Sequence, residues 1–169
     1  AYEVNPQGPE IRANVIVVLM ESMGSEFFSE FRTDGKKLTP ELEKLASQSL
    51  YFSHVYATGT RTVRGIEALT LARPPLPMVR REGNDHLRGV WTMFRERGYD
   101  LKWLYGGYGY FDNMNAYFSG NGFNVVDRTV LSSEEITFSN VWGVCDEDLY
   151  ARVLREADAS AAAGKPFFN

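Results

Sequence analysis

Two short polar segments of the sequence carry residue types that suit metal-assisted phosphate chemistry. Glu21 directly follows the apolar run 15–20, and Thr62 closes the polar segment Thr58–Thr62, just before an apolar-periodic stretch. A glutamate carboxylate is a hard oxygen ligand for a divalent cation. A hydroxyl at the start of a helix lies beside backbone N–H groups that attract phosphate, and it becomes a competent nucleophile when a metal lowers its pKa. The two segments therefore predict a site for a cation and a phosphate ester.

Both residues also have an ordinary structural interpretation. Glu21 would equally suit the first turn of a helix, and Thr62 would equally suit a helix N-cap. Thr58 and Thr60 compete with Thr62 as the nucleophile, because spacing alone does not separate the three hydroxyls.

The elements that must position these residues alternate between strands and helices. Apolar or β-branched runs predict strands at 14–20, 49–55, 100–105 and 123–126, with a further strand beginning within 165–169. Amphipathic or well-capped stretches predict helices near 27–31, 39–46, 62–71, 85–97, 112–118 and 146–163. This alternation predicts an α/β fold, a three-layer sandwich with a largely parallel sheet flanked by helices. The carboxyl ends of parallel strands share one edge, which would bring Glu21 and Thr62 together.

The composition narrows the classes of protein. The chain has 169 residues, with 18 Lys and Arg against 22 Asp and Glu. This acidic balance argues against a nucleic-acid binder, which usually has a basic surface. Its apolar runs are far shorter than the ~20 residues that span a bilayer, and no signal peptide is visible. A single cysteine excludes an internal disulfide framework. Residues 1–13, which contain two prolines and a glycine, are predicted to be a linker, and 14–169 the domain.

Five segments, taken in chain order, resemble one known family. They are Asn14–Ser22, Leu38–Leu42, Gly59–Thr62, Gly106–Asn115 and Trp142–Asp148. In this order they are similar to lipoteichoic acid synthase and its phosphoglycerol transferase relatives, which belong to the alkaline phosphatase and sulfatase superfamily. The resemblance spans nearly all of the chain after residue 13. The ordered set is fairly specific, whereas each segment alone is weak.

The resemblance implies a metal-dependent transferase with a covalent threonine intermediate. Thr62 matches the family's nucleophile, which also ligates the metal, and Glu21 matches its metal-binding glutamate. The implied donor is a phosphatidylglycerol-type lipid, and the implied acceptor is a glycan or a glycerophosphate. Manganese is the implied metal, with magnesium or zinc as alternatives. Family members lie outside the cytoplasm, periplasmic or at the cell surface, behind a membrane anchor, so the linker 1–13 would be on the tether side.

The resemblance also implies that this chain holds part of a larger catalytic domain. The family completes its metal site with an Asp-His pair and a further histidine from its C-terminal half. The two histidines here, His54 and His86, are expected to be packed and solvated, respectively. The chain is therefore expected to be the N-terminal part of the domain, with the missing C-terminal half as its partner. Alone it should bind metal weakly and show no turnover.

Substrate contacts are implied for three further residues. The family's Trp-Asn-Arg segment corresponds here to 112–114, so only Asn113 is retained. Arg61 and Arg64, beside the predicted nucleophile, would supply positive charge in place of the absent arginine, or else form a solvated helix face.

Three alternative functions remain open from the sequence. A phosphoethanolamine transferase would also use a threonine nucleophile. A sulfatase-like hydrolase would use a Cys/Ser-x-Pro-x-Arg motif, which Thr62-Val63-Arg64 lacks. A non-catalytic carbohydrate- or lipid-binding module would use the glycines and aromatic residues that follow the strand 100–105.

Overall fold

The structure, a computed structural model, describes residues 7–74 and 76–169 and is built on a small parallel sheet. Its strands are β1 (Asp100–Leu104), β2 (Asn124–Val126) and β3 (Phe167–Phe168). The order is β2-β1-β3, so β1 is central, and both pairings are parallel. Beyond β3, Val15 forms a single parallel bridge with Phe168.

Five α-helices lie within these described residues. They are α1 (Pro40–Ser47), α2 (Thr62–Leu71), α3 (Val90–Glu96), α4 (Met114–Gly120) and α5 (Asp146–Ala162). Helix α1 begins as its sequence predicts, with a proline in its first turn followed by Glu41 and Glu43 near the positive end of the helix.

Helices cover both faces of the sheet. Side chains alternate along β1, so Leu101 and Trp103 share one face and Lys102 points to the other. Leu101 joins a buried cluster with residues of α2, α3 and α4, and Trp103 stacks on Phe118 of α4 at 4.5 Å between ring centroids. Lys102 contacts Ser160 of α5 on the opposite face. This arrangement confirms the predicted α/β fold with a parallel sheet flanked by helices.

The Lys102 ammonium group lies at the centre of a buried polar network. Its side chain is 6% exposed, and Nζ lies 2.9 Å from Glu156 Oε2 and 3.2 Å from Asp100 Oδ2. Nζ also donates to Ser160 Oγ at 2.9 Å, and that hydroxyl donates to Asp100 Oδ2 at 2.6 Å. The buried charge is therefore paired and hydrogen-bonded, which is the condition for tolerating it in a protein interior.

This network makes stability sensitive to acid. Burial alone would raise the pKa of Asp100, but hydrogen bonds from Ser160 and Lys102 outweigh it and hold the pKa below 3.8. At Glu156, burial would likewise raise the pKa, but hydrogen bonds from Lys102 and Arg152 outweigh it and hold the pKa below 4.5. A carboxyl with a lowered folded-state pKa stabilises the fold above its unfolded pKa, and this stabilisation is lost as pH falls through the folded value. We expect the free energy of unfolding to fall steeply below about pH 4.

Urea unfolding at a series of pH values measures this dependence. The double variant Asp100→Asn, Glu156→Gln should flatten the decline, whereas Asp158→Asn, an exposed acid of α5, should leave it unchanged. Equal slopes in the wild type and the double variant would contradict the prediction.

The predicted buried strand at 14–20 is wrong in extent and in burial. Val15 and Val17 donate to the carbonyls of Phe167 and Asn169, at 2.9 and 2.8 Å, but residues 16–20 are 44–52% exposed. A parallel strand is buried only when strands flank both edges and other layers cover both faces. The described residues supply β3 on one edge and no strand on the other.

The predicted strand at 49–55 does not form. Residues 50–57 are irregular, and Leu50, Phe52 and Val55 are 83%, 66% and 74% exposed. β-Propensity becomes a strand only where a partner supplies hydrogen bonds. None of the described strands lies beside this segment.

Other helix boundaries differ because tertiary hydrogen bonds compete with helical ones. The predicted helix 85–97 begins only at Val90, since the His86 amide donates to Gly120 O and the Leu87 amide donates to Asn121 Oδ1. The predicted helix near 27–31 is a pair of 3₁₀ turns, Ser25–Phe27 and Ser29–Phe31.

Candidate active site

Glu21 and Thr62 are in direct contact. Thr62 is the first residue of α2, and Glu21 follows the extended apolar segment that begins beside β3. Thr62 Oγ1 donates a hydrogen bond to Glu21 Oε1, although the two residues are 41 positions apart in the chain. The structure thus brings together the two residues that the sequence singled out as metal ligand and nucleophile.

Local backbone geometry explains why these two side chains meet at an exposed edge. Val63 and Ile66 are buried and anchor α2 in the core, which leaves its first residue at the surface. Gly59 has φ of 104°, a turn that favours glycine, shortly before the helix. Ser22 has φ of 56°, so the chain turns sharply after Glu21. The Arg64 amide donates to Arg61 O at 2.9 Å, whereas the amides of Thr62 and Val63 have no acceptor among the described residues and remain available as donors at this edge.

Positive charge is available beside the Thr62 hydroxyl. Arg61 is the N-cap of α2, Arg64 lies in its first turn, and both are exposed without an ion pair among the described residues. Thr58 and Thr60 lie in the exposed loop before the helix and make no hydrogen bond with Glu21. Among the three threonines of this segment, Thr62 alone contacts the carboxylate.

Tyr105 contributes a third polar group near this edge. It directly follows β1 and stacks on Trp103 at 5.2 Å. Burial, together with the negative charges of Glu21 and Asp112, raises the pKa of Tyr105. The phenol therefore stays protonated at neutral pH. In the sequence Tyr105 is only the last residue of the predicted strand 100–105, because its proximity to Glu21 depends on tertiary structure.

A glycine turn, Gly106–Gly109, follows Tyr105 and is held by Asp127 from the end of β2. The Gly109 amide donates to Asp127 Oδ2 at 2.7 Å, and a Cβ added at Gly109 would lie 2.9 Å from that oxygen. Burial would raise the pKa of Asp127, but hydrogen bonds from Thr129 and the Gly109 amide outweigh it and lower the pKa of this carboxyl. The backbone of the turn thus approaches Asp127 too closely for a larger residue.

A hairpin at 138–145 packs against the same turn. The Val144 amide donates to Gly106 O at 2.9 Å, and a Cβ on Gly143 would lie 2.6 Å from that carbonyl oxygen. Its tip exposes Val141 and Trp142, at 81% and 74%. Tyr110 is also exposed, so aromatic surface borders the carboxyl end of β1.

Asn113 lies in a turn of unusual backbone geometry. Asp112 and Asn113 have φ of 54° and 61°, both in the left-handed region. Asn113 Nδ2 donates to Val79 O at 3.1 Å, and Asp112 forms an ion pair with Arg80. The Oδ1 atom of Asn113 makes no hydrogen bond within the described part of the chain. Asn113 is linked to Thr62 only indirectly: it bonds to residues 78–80, and these bond to α2, the helix that begins at Thr62.

The Glu21–Thr62 pair fits two positions of a divalent cation site. Both donors are oxygens, one from a carboxylate and one from a hydroxyl, and hard cations prefer such donors. Within residues 7–74 and 76–169, no group of three or more His, Cys, Asp or Glu side chains is placed to hold a metal. The pair therefore supplies two ligands, fewer than the four to eight that protein-bound divalent cations take.

The histidines lie outside this pair. Asp85 and His86 are adjacent in sequence, and His86 Nε2 lies 3.8 Å from Asp85 Oδ2, but both side chains are exposed, at 52% and 89%. His54 is exposed and shares a hydrogen bond with Ser53 Oγ. Neither histidine belongs to a metal-ligand group among the described residues.

No helix in the described part of the chain is long and apolar enough to cross a membrane. Residues 7–13 of the predicted linker are exposed, and Glu10 pairs with Arg97 at 2.8 Å. Residues 1–6 of the linker lie outside the described residues.

Two solved structures are similar to this chain. One is described as a protein in the alkaline phosphatase superfamily from Vibrio parahaemolyticus, with a TM-score of 0.83 and 38% identity. The other is the lipoteichoic acid synthase LtaP from Listeria monocytogenes, with a TM-score of 0.80 and 16% identity. Each alignment covers 93% of this chain and 39% of the other, so the chain spans well under half the length of either structure.

Comparison with protein-family models gives the same assignment. The family described as Sulfatase matches residues 13–169, which is nearly the whole chain. The wider superfamily is generally metal-dependent, consistent with oxygen donors at the carboxyl edge of the sheet. The chain therefore belongs to the sulfatase family of the alkaline phosphatase superfamily.

Proposed function

We propose that this chain carries the nucleophile of a metal-dependent phosphoglycerol transferase. The observation that supports this most directly is the hydrogen bond from Thr62 Oγ1 to Glu21 Oε1. It joins a hydroxyl at a helix N-terminus to a carboxylate, beside Arg61 and Arg64, which form no ion pair among the described residues. The sequence Thr62-Val63-Arg64 lacks the formylglycine motif of sulfatases, which favours threonine itself as the attacking group.

In the proposed reaction, Thr62 Oγ1 attacks the phosphorus of a phosphatidylglycerol-type lipid. A P–O bond to Thr62 forms, the P–O bond to diacylglycerol breaks, and the departing oxygen takes a proton from solvent. The proton of Oγ1 leaves to solvent, and Glu21 stays ionised as a proposed ligand of the cation. A hydroxyl of a glycan or glycerophosphate then loses its proton to solvent and attacks the same phosphorus. The P–O bond to Thr62 breaks, and Oγ1 takes a proton from solvent.

Glu21 and Thr62 would hold the divalent cation, for which we propose manganese, with magnesium or zinc as alternatives. When bound, such a cation supplies a Lewis acid that lowers the hydroxyl pKa and neutralises phosphate charge. Arg61 and Arg64, with the first amides of α2, would bind the phosphate oxygens. Asn113 Oδ1, which accepts no hydrogen bond among the described residues, would accept one from a glycerol hydroxyl of the donor.

We further propose that the catalytic unit contains residues beyond this chain. The chain spans 39% of the length of its structural relatives, and Glu21 and Thr62 supply too few ligands for a complete site. The missing C-terminal half of the domain would supply the rest. A lipid donor requires access to a membrane surface. The similarity to a lipoteichoic acid synthase supports a domain outside the cytoplasm, periplasmic or at the cell surface, tethered through the residue 1–13 side.

Mass spectrometry of the complete protein tests this function. Incubation with phosphatidylglycerol and Mn²⁺ should place a glycerophosphate adduct on the peptide containing Thr62. An adduct on Thr58 or Thr60, or no adduct with metal present, would overturn the assignment of the nucleophile. A phosphoethanolamine adduct formed from phosphatidylethanolamine would instead identify the alternative transferase.

A second candidate function rests on the exposed aromatic surface. Tyr110 and Trp142, at 70% and 74% exposure, border the carboxyl end of β1 and would suit a non-catalytic carbohydrate- or lipid-binding module. Undiminished sugar or lipid binding by the Thr62→Ala and Glu21→Ala variants, without any adduct in the wild type, would favour this alternative.

A further inference from the structure

Residues 76–81, here called the strap, connect helix α2 to the turn that carries Asn113. Glu67, in the middle of α2 and only 2% exposed, accepts at Oε1 the amide of Val79 at 2.8 Å and also the amide of Met78. Val79 is fully buried, and its carbonyl accepts Asn113 Nδ2 at 3.1 Å. The same carbonyl also accepts Asn84 Nδ2 at 2.7 Å, so the backbone of the strap is held by Glu67 at its amides and by Asn113 and Asn84 at Val79 O.

A second contact joins the strap to the same turn. Arg80 of the strap forms an ion pair with Asp112, the residue before Asn113. Both residues of the turn have left-handed backbone angles, which non-glycine residues adopt at a cost and keep only when their surroundings hold them. The strap therefore contacts the side chain of each of these two residues.

Burial of the Glu67 carboxyl group is unfavourable for stability, and its hydrogen bonds to the strap are the only ones that offset it among the described residues. Its Oε2 atom is buried and has no hydrogen-bond partner among the described residues. A buried carboxyl group that satisfies only one oxygen is unfavourable compared with an apolar residue at the same position. The contacts that Glu67 does make all go to the strap amides.

We propose that Glu67 is a positioning residue that acts through the strap to hold the Asn113 turn in a fixed relation to Thr62. The inference rests on the proposed function, in which Asn113 contacts the donor. Glu67 and Thr62 lie on the same helix, so one rigid element carries both the nucleophile and the anchor of the strap. Donor binding should therefore depend on Glu67, although its carboxylate bonds only to protein.

Steady-state kinetics of transfer by the complete protein test the inference. Glu67→Ala should raise KM for phosphatidylglycerol about tenfold and leave kcat within about twofold, because a contact made equally in the ground and transition states affects KM alone. Glu67→Gln keeps an acceptor oxygen for the strap amides, so its KM should stay within about twofold of the wild type.

A double-mutant cycle separates positioning from a general structural role. If Glu67 acts through Asn113, then Glu67→Ala should raise KM no further in an Asn113→Ala background. A merely structural role would lower kcat in both backgrounds, or give additive effects, and either result would overturn the inference.

A variant at the protein surface tests the same inference if Glu67→Ala fails to fold. Arg80→Met breaks the ion pair with Asp112 at a side chain that is 55% exposed, and it should raise KM about threefold. Arg81→Met is the matched control, since Arg81 is exposed and has no ion pair among the described residues. Equal KM values for the two variants would contradict the role of the strap.

Hydrogen exchange separates this inference from the proposed function. Amides of 109–116 should exchange faster in Glu67→Ala and Arg80→Met than in Glu67→Gln and Arg81→Met. Unchanged exchange in both of the first two variants would overturn the coupling. Faster exchange in a protein without any transfer activity would retain the coupling and reject the proposed function.

Discussion

Replacement of Thr62 by alanine should reduce transfer from phosphatidylglycerol by roughly 10³-fold or more in the complete protein and abolish the covalent adduct. The variant loses the proposed nucleophile and one of two proposed metal ligands at once. Diacylglycerol release in the presence of Mn²⁺ measures the rate, and mass spectrometry measures the adduct. Thr62→Ser, which keeps a hydroxyl at this position, should retain measurable transfer.

Thr60→Ala provides the matched control for this experiment. Thr60 lies two positions earlier in the exposed loop, carries the same hydroxyl, and makes no hydrogen bond with Glu21. Its variant should transfer at the wild-type rate within about twofold. The hydroxyl of Thr62 bonds only to Glu21 among the described residues, so Thr62→Ala should fold normally. Full activity in Thr62→Ala would reject the proposed mechanism.

The second large effect concerns stability and is expected for Lys102→Ala. Removing the ammonium group leaves Asp100 and Glu156 without their shared cation on the α5 face of the sheet. Breaking a buried ion pair by removing one partner costs about 3–5 kcal/mol, because the remaining charge is buried without compensation. Urea unfolding at neutral pH measures the loss.

Two further variants show whether the loss comes from the charge network. Lys44→Ala removes an exposed lysine that has no ion pair among the described residues, and it should change stability by less than about 0.5 kcal/mol. Adding Asp100→Asn and Glu156→Gln to Lys102→Met should recover much of the loss, since no uncompensated charge is then buried. A loss in Lys102→Ala no larger than in Lys44→Ala would contradict the prediction.

The elements that the sequence predicts well are those specified by local chemistry. Helix α1 begins at Thr39-Pro40, and the predicted helix 146–163 is observed as Asp146–Ala162, because a first-turn proline and acidic first turns act within a few positions. Strand β1 has an apolar run bounded by glycines and forms as predicted. The contact between Glu21 and Thr62 agrees with the expectation of a shared sheet edge, although of the two strands behind that expectation 14–20 pairs only at its start and 49–55 does not form.

What the sequence could not predict depends on distant partners. The segment 49–55 has a strand-like composition, yet no neighbour offers it hydrogen bonds. Glu67 looks like any polar residue of an amphipathic helix, and its burial against the amides of Met78 and Val79 depends on the path of the strap. Its only signal in the sequence is an acid between Ile66 and Ala68 in an otherwise apolar stretch.

The pairing of the first extended segment with the last strand has a consequence for biosynthesis. Asn14 Oδ1 accepts the Phe167 amide across 153 positions, and Val15 bridges Phe168. The ribosome adds about 5–20 residues per second, so the early segment emerges roughly 8 to 30 seconds before its partner. During that interval the apolar residues 16–20 are unpaired and prone to aggregate. The nascent chain should therefore depend on chaperones that bind this segment until residues 167–169 have emerged.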